Sequence, residues 1–445
     1  MTPTLHVVHC VDTEGPLDED LDGTFQRLED SFGVRLDPTP ENLEEIQTGR
    51  FSTGNHENDR HLRLMCAPEL LKYNRTWDDI DEMNRELFSD EFRLADRDDF
   101  GNGWKISWFC MDHVNYASNP RKKALGFGAI HNYYADLTRR YPDYGDELQF
   151  HHHPKSISGN PLAAATSYTN SMSEIVESLA RRIIDNGWFP SAYRPGFHAE
   201  RSDCNLFLEQ WIPFDYGNQS HEQPGAQSDE QHGRFGDWAG APTTWRGYHP
   251  DIHDYKIRGD CRRTIFRCLN VGTRLRLLEP NHVTEAFVEA RESGNAILAF
   301  ADHDFRDIRK DVQAVRMLLE RARVQYPDVN VRYSGADEAA NDLLGNTQIS
   351  PCFDLSLDNN RLIIRATAGL VFGAQPFFAI KLINGTYIHD NLDNVVKDEI
   401  WSYAFDEQTI RLSDVDAVGL GTAGRQGNAV AYRYQLRNGL LVCAD

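Results

Sequence analysis

Over the first 340 residues or so, short apolar runs of strand length alternate with stretches whose apolar residues recur at helical intervals. Runs at 6–11, 105–110, 148–153, 212–216, 296–301 and 330–333 read as strands. Between them, Ser171-x-x-Glu174 reads as a capping box, followed by Ile175, Val176, Leu179, Ile183 and Ile184 on one helical face up to a stop at Gly187. Ile308, Val312, Val315, Leu318 and Leu319 form a second such face before Pro327. This alternation predicts an α/β domain with a mainly parallel sheet. Two segments interrupt it: 17–103 is polar, acidic and weakly periodic, and 219–259 is rich in Gly, Pro, His and Trp. Long inserted segments of this kind read as lids or walls. Beyond Asn341 the period becomes two. Phe353, Leu355 and Leu357 alternate, Asp358-Asn359-Asn360 can turn the chain, and Leu362 and Ile364 alternate again, which predicts a hairpin at the start of a β-sandwich-like region. The expected organisation is an α/β domain over 1–343, carrying the insertion 17–103 and the loop 219–259, followed by an all-β domain over 344–445.

Composition narrows the functional classes. The 445 residues hold 46 Lys and Arg against 68 Asp and Glu, a formal charge of −22. Nucleic acid is therefore disfavoured as a partner, since the basic residues form only short clusters such as Arg121-Lys122-Lys123. No apolar run approaches the roughly 18 residues of a membrane span, and the first strand follows Thr4 with no basic leader before it, so a cytoplasmic protein is expected. Eight cysteines without a Cys-x-x-Cys pair read as free thiols in a reducing compartment. An enzyme or a binding protein remains, with 17 histidines as the lead to chemistry.

Four strand ends carry candidate residues. Val11-Asp12-Thr13-Glu14-Gly15-Pro16 ends a strand with carboxylates at i and i+2, on one face; the same residues could also cap a turn. In Glu147-Leu148-Gln149-Phe150-His151-His152-His153-Pro154, alternation puts His151 and His153 on one face and His152 on the other, so two imidazoles could share a divalent metal with an acid from a neighbouring strand. Tyr193-Arg194-Pro195-Gly196 presents an arginine fork at a turn, suited to holding a carboxylate. Asp302-His303-Asp304 ends the last long apolar strand; flanking carboxylates should raise the histidine pKa and suit it to general acid work, unless the acids merely cap a helix. Parallel α/β domains gather their sites at the C-terminal ends of strands, so the four form one candidate site.

That order of motifs resembles the polysaccharide deacetylase family (NodB-homology, carbohydrate esterase family 4) over roughly residues 5–340. Asp12 and Glu14 match its acidic pair, Ser107-Trp108-Phe109 its aromatic strand, Glu147 to His151 its Glu-Ile-Gly-x-His strand and Arg194-Pro195-Gly196 its Arg-Pro-Gly motif. Residues 205–219 look like its aspartate-serine strand and 298–303 like its closing Leu-x-His region. The family's usual His-x-x-x-His spacing is replaced by His151-x-His153, position 155 being Lys155, a His-x-His-Pro form similar to the WbmS-like O-antigen group. The resemblance implies a distorted (β/α) barrel and a metal-dependent hydrolase of non-peptide carbon–nitrogen bonds. Its substrate would be an N-acetylated amino sugar or sugar precursor in polysaccharide synthesis. Glu14, His151 and His153 would hold Zn²⁺ or a similar ion, Asp12 would be the base, Arg194 would hold Asp12 ionised and His303 would protonate the leaving amine; the roles of Asp12 and Glu14 could be exchanged. A backbone N–H near the acidic loop would assist the oxyanion. Trp108, Trp238, Trp245 and Tyr248 are either sugar-facing walls or core residues. Two rivals stay open: a non-catalytic glycan- or nucleotide-sugar-binding member of the fold, and a hydrolase of another C–N bond such as a cyclic amide.

Overall fold

The computed structural model describes residues 2–114, 119, 121–122, 125–161, 167–222, 236–346, 349–424, 428–437 and 440–443. Lys123 and residues 223–235 of the predicted loop lie outside the described residues. Eight strands form the first sheet: β1 Thr4–Thr13, β2 Ser107–Cys110, β3 Glu147–His152, β4 Ala192–Pro195, β5 Phe214–Asn218, β6 Thr264–Asn270, β7 Asn295–His303 and β8 Asn330–Tyr333. All pair in parallel. The order β2-β3-β4-β5-β6-β7-β1 closes on itself because β1 also pairs with β2. Cys10 to Thr13 of β1 face β2, while Thr4 to Val7 on the same edge face β8, so β8 fills the edge below the point where β2 joins. The result is a seven-stranded parallel barrel with helices outside it. Strands β4 and β6, absent from the list read off apolar runs, are short or carry Arg263 and Arg267 at or beside them, which breaks the run.

Residue alternation decides what the barrel encloses. Val8 and Cys10 of β1, Phe109 of β2, Phe214 and Tyr216 of β5 and Ile297, Ala299 and Ala301 of β7 belong to one interior cluster. Val7, Val11, Leu298 and Phe300 belong to the layer under the outer helices. Both faces of β1 are buried, and its apolar residues are accordingly not confined to one face, with His6 and His9 buried among them. Helix Ala336–Leu344 closes the barrel floor, its Ala336 carbonyl accepting from the Tyr216 hydroxyl at 2.6 Å. The inward register then ends, at the opposite mouth, on Asp12, His151, Arg194 and His303.

Segment 17–103 is helical rather than irregular. Asp20, Thr39, Asn55, Thr76 and Ser89 each cap a helix, the five running Leu21–Phe32, Pro40–Thr48, His56–Met65, Trp77–Leu87 and Asp90–Arg93. The first three share a small apolar core of their own, while Met83, Leu87, Phe88 and Phe92 join the barrel's outer layer. Arg93 anchors the segment: fully buried, it grips Asp146 with two nitrogens at 2.8 and 2.7 Å and donates to the Trp104 carbonyl. The capping box at Ser171 does not form. Helix Met172–Asn186 starts there and ends at Gly187, but the Ser171 hydroxyl accepts from the backbone N–H of Lys155, and Glu174 takes the Ser173 hydroxyl. Loop-to-loop contact outcompeted the local cap.

After the barrel come nine antiparallel strands in two sheets. The first contains the predicted hairpin, Cys352–Asp358 with Arg361–Ala368, turning at Asn359 and Asn360 with Asn359 at φ 52°. A common core joins the two sheets, with Leu362, Ile364 and Trp401 from one and Phe378, Ile380 and Leu420 from the other. The second sheet lies on helix Met172–Asn186, where a side chain at Gly421 would meet Phe189 at 2.4 Å and Ile183 at 2.6 Å. All eight cysteines are free and six are buried.

Because Asp146 is the only carboxylate paired with the buried Arg93 among the described residues, Asp146→Ala leaves a desolvated guanidinium behind. Urea unfolding should show a loss of about 3–5 kcal/mol; a loss below about 1 kcal/mol would mean the pair does not anchor the helical segment.

Candidate metal centre

Pairing of Asp12 with His303 in the β1–β7 ladder brings the first and last motifs side by side. From across the barrel, Arg194 of β4 donates Nε to Asp12 Oδ1 at 2.7 Å and Nη2 to Oδ2 at 3.1 Å, with Nη1 on the Tyr216 carbonyl at 2.6 Å. Both residues are almost wholly buried. Burial pushes the Asp12 carboxyl up, but Arg194 and His151 outweigh it and hold it below the ordinary carboxylate range.

His151 and His153 converge, their rings 4.8 Å apart with the Nε2 atoms at 3.0 Å. Glu14 Oε1 lies 3.3 Å from His153 Nε2. Ligand-capable atoms of Glu14, His151 and His153 all fall within 4.8 Å of one another. His151 Nδ1 sits 2.9 Å from the Arg194 carbonyl, which can only accept, so Nδ1 carries the proton and Nε2 presents a lone pair to the cluster. Burial holds the ring neutral, its pKa down to about 4. His152 points the other way, against Phe150 and Tyr168. With the His151 proton on Nδ1, His153 donates its Nε2 hydrogen to the His151 Nε2 lone pair, and a divalent cation that replaced this hydrogen would meet two imidazole nitrogens and one carboxylate.

A second group within the same distance, His221, Glu279 and His282, differs in its protons. The Glu279 N–H donates to His282 Nδ1 at 3.0 Å, so His282 Nε2 carries the hydrogen and gives it to Glu222 at 2.8 Å. His282 is spent on capping helix Pro280–Ser293.

Position of the Glu14 loop depends on residues the motifs did not single out for it. Asp304 accepts the backbone N–H of Glu14 at 2.8 Å and of Gly15 at 3.0 Å, and the Tyr134 hydroxyl at 3.0 Å. It is therefore no helix cap, and those two N–H groups are not available to an oxyanion. Asp302 faces outward to His9 Nε2 at 3.0 Å. Lys122, buried, reaches Glu14 Oε2 at 3.1 Å, and His113 Nε2 lies 3.0 Å from the Glu14 carbonyl. Burial raises the Glu14 carboxyl, yet Lys122, His153 and His303 together hold it well below its usual range. Lys122 had no local signal beyond the short basic cluster; Asp304 was legible as an acid but not as a clamp.

His303 departs from expectation. Its Nε2 lies 3.9 Å from Asp12 Oδ2 and 4.0 Å from Glu14 Oε1. Desolvation outweighs both carboxylates, and the ring is held neutral with a pKa down to about 4. Gly196 has a steric reason: a Cβ there would sit 2.4 Å from the His153 ring. Phe197 and His198 follow with φ of 52° each, Phe197 edge-on to His153 at 4.7 Å. Asp215, in the predicted aspartate-serine strand, is turned away into a buried network with Arg263 and Glu200.

Asp12, Glu14, His151, His153 and His303 line a cavity of about 180 Å³ whose aromatic walls are Phe197 and Phe305. The four aromatics proposed as walls are all buried elsewhere. Trp108 stacks on Tyr134, Trp238 donates to the His198 carbonyl, Trp245 packs in the outer layer under Arg267, and the Tyr248 hydroxyl donates to the Tyr255 carbonyl. Arg121, Leu17 and Leu70 bring the helical segment and its neighbour to the rim.

Fold and site together define a parallel (β/α) barrel with a two-histidine, one-carboxylate cluster at its C-terminal mouth. No known protein family and no curated protein sequence matches the chain. Among the described residues no helix is long and apolar enough to cross a membrane.

Zinc titration of single variants tests the cluster. His151→Ala and His153→Ala should each weaken binding by about 100-fold or more, His152→Ala should leave it unchanged, and Gly196→Ala should weaken it without touching a ligand atom. Equal loss in all three histidine variants would contradict the alternation on β3.

Proposed function

We propose that the protein is a metal-dependent hydrolase of the polysaccharide-deacetylase type, removing an N-acetyl group from an amino sugar. The observation that carries this reading is the joint placement of three ligand-capable atoms, on Glu14, His151 and His153, beside a carboxylate, Asp12, that is ionised and locked by Arg194. A divalent cation, most simply Zn²⁺, would supply a Lewis acid that polarises an acyl carbonyl and acidifies water. Asp12 keeps lone pairs beyond the two that Arg194 engages, so it can take a proton from an attacking water while its charge stays stabilised. His303, neutral and facing Asp12 and Glu14, is placed to take up that proton and give it to the leaving amine. Resting neutrality makes it a relay rather than a pre-charged acid. Phe197 lines the cavity as an apolar surface for a sugar ring, while Phe305 already carries Lys122 and Arg306 over its ring. Work on sugar precursors of a surface polysaccharide fits this chemistry, and the two antiparallel sheets are available for attachment.

Acetate release from a panel of N-acetylated sugars by zinc-loaded protein tests the reading; no acetate from any member, or a ring-opened acid from cyclic amides alone, would overturn it. Asp12→Asn should retain zinc and lose about 10²–10⁴ in kcat; loss of zinc instead would exchange the roles of Asp12 and Glu14. The pH profile has a defined sign. His303 has its pKa lowered, so its neutral form persists as pH falls past 6.5 and is lost only near 4. The acid limb of kcat/KM should lie near pH 4, and a limb centred at 6.5 would contradict a desolvated His303.

A further inference from the structure

On one side of the cavity the charges do not balance. Glu19, its carboxylate fully buried behind the wall, takes Arg27 at 2.7 Å and Arg121 at 2.6 Å. Lys122 is answered by Glu14. Arg306 has no ion pair among the described residues: its Nε donates to the Leu70 carbonyl at 3.3 Å, and its guanidinium lies over the rings of Phe305 and Tyr73, 4.8 and 5.5 Å from their centres. Asp311 senses its field without forming an ion pair. Two guanidiniums thus share the Glu19 carboxylate and a third has none, in a chain whose formal charge is −22. Burial lowers the pKa of Arg306; Tyr73 opposes this, while Arg121 and Arg27, as like charges, push it the same way. Of the three, Arg121 and Arg306 line the cavity, on the same wall as Glu14, and Arg306 is close enough to His303 to lower its pKa too.

We propose that the substrate carries its own oxyanion, a carboxylate or a phosphate, held by Arg306 and Arg121 beside the acyl group that sits at Glu14, His151 and His153. The class follows from the donors. Guanidiniums are planar forks matched to two-oxygen acceptors, and Arg306, which pairs with no carboxylate among the described residues, gains most from an anion that arrives with the ligand, with Arg121, already on Glu19, adding its field. A neutral N-acetyl sugar would leave the Arg306 fork facing only hydroxyls. The inference rests on the hydrolase reading for the acyl end, while the anion end stands on the cationic wall alone.

Two measurements keep these apart. Zinc-loaded protein is assayed for acetate release from a neutral N-acetylhexosamine, its uronic acid and its 1-phosphate. Separately, calorimetry follows binding of inorganic phosphate and of glucuronate to the wild type, Arg306→Gln and Arg306→Lys, with thermal unfolding as the folding control. Anionic substrates should exceed the neutral sugar by about 10- to 100-fold in kcat/KM, the span of a charge-assisted bond, and whichever anionic form leads names the source. Arg306→Gln should bring the ratio of anionic to neutral kcat/KM down to about one, through KM on the anionic substrates, with Arg306→Lys restoring part of it. Equal rates on neutral and anionic sugars, insensitive to Arg306→Gln, would overturn the inference and leave the hydrolase reading standing. If no sugar releases acetate, the hydrolase reading fails, and the anion site is then decided by calorimetry. Binding of phosphate or glucuronate that is lost in a folded Arg306→Gln supports it, and no binding by the wild type overturns it.

Discussion

A buried ion pair, Asp12 with Arg194, spans the barrel mouth from β1 to β4, and the rest of the site depends on it. Two charges out of water cost several kcal/mol each, and only paired, fully hydrogen-bonded geometry offsets that. Neither side chain has an alternative place to go. Holding Arg194 rigid places its backbone carbonyl on His151 Nδ1, which sets the tautomer and leaves Nε2 bare. A single electrostatic constraint therefore orients an imidazole it does not directly touch, through the chain of the arginine itself.

A second tier of contacts fixes the other acid. Asp304 clamps the N–H groups of Glu14 and Gly15, and Lys122 occupies one Glu14 oxygen, so Glu14 faces His153 with the other. Burial opposes every one of these charges. At Asp12 and Glu14 a close cation outweighs it; at His303 and His151 it wins over the neighbouring carboxylates, with Arg306 and Arg194 pushing the same way. Environments that push neighbouring groups apart in this way separate an ionised base from neutral imidazoles within one small cavity.

Much of this was legible one strand at a time. Period-two alternation correctly paired His151 with His153 and turned His152 away, because side-chain direction on a strand is a local property. The run at 6–11 announced a strand, though not that both its faces would be buried. Legibility failed where distant partners decide. Local pattern at Ser171 predicted a cap that a loop from residue 155 displaced. Segment 17–103 looked irregular because its helices are short and held by caps and a small core, with little amphipathic length. For the tryptophans, left open between sugar wall and core, the core reading holds, because large apolar area gains most there.

What the sequence by itself determined is the alternation of α and β, the change of period after residue 341 and the order of chemical groups at four strand ends, all consequences of spacings along one chain. Only the tertiary structure decided that β1 and β2 close the barrel, that Glu14 rather than Asp12 meets the two histidines, that His303 is neutral and that Arg306 pairs with no carboxylate among the described residues. Those outcomes depend on which charges lie across the cavity and how much water is excluded between them. Field and desolvation are properties of three-dimensional neighbours, and strand spacing carries no record of either.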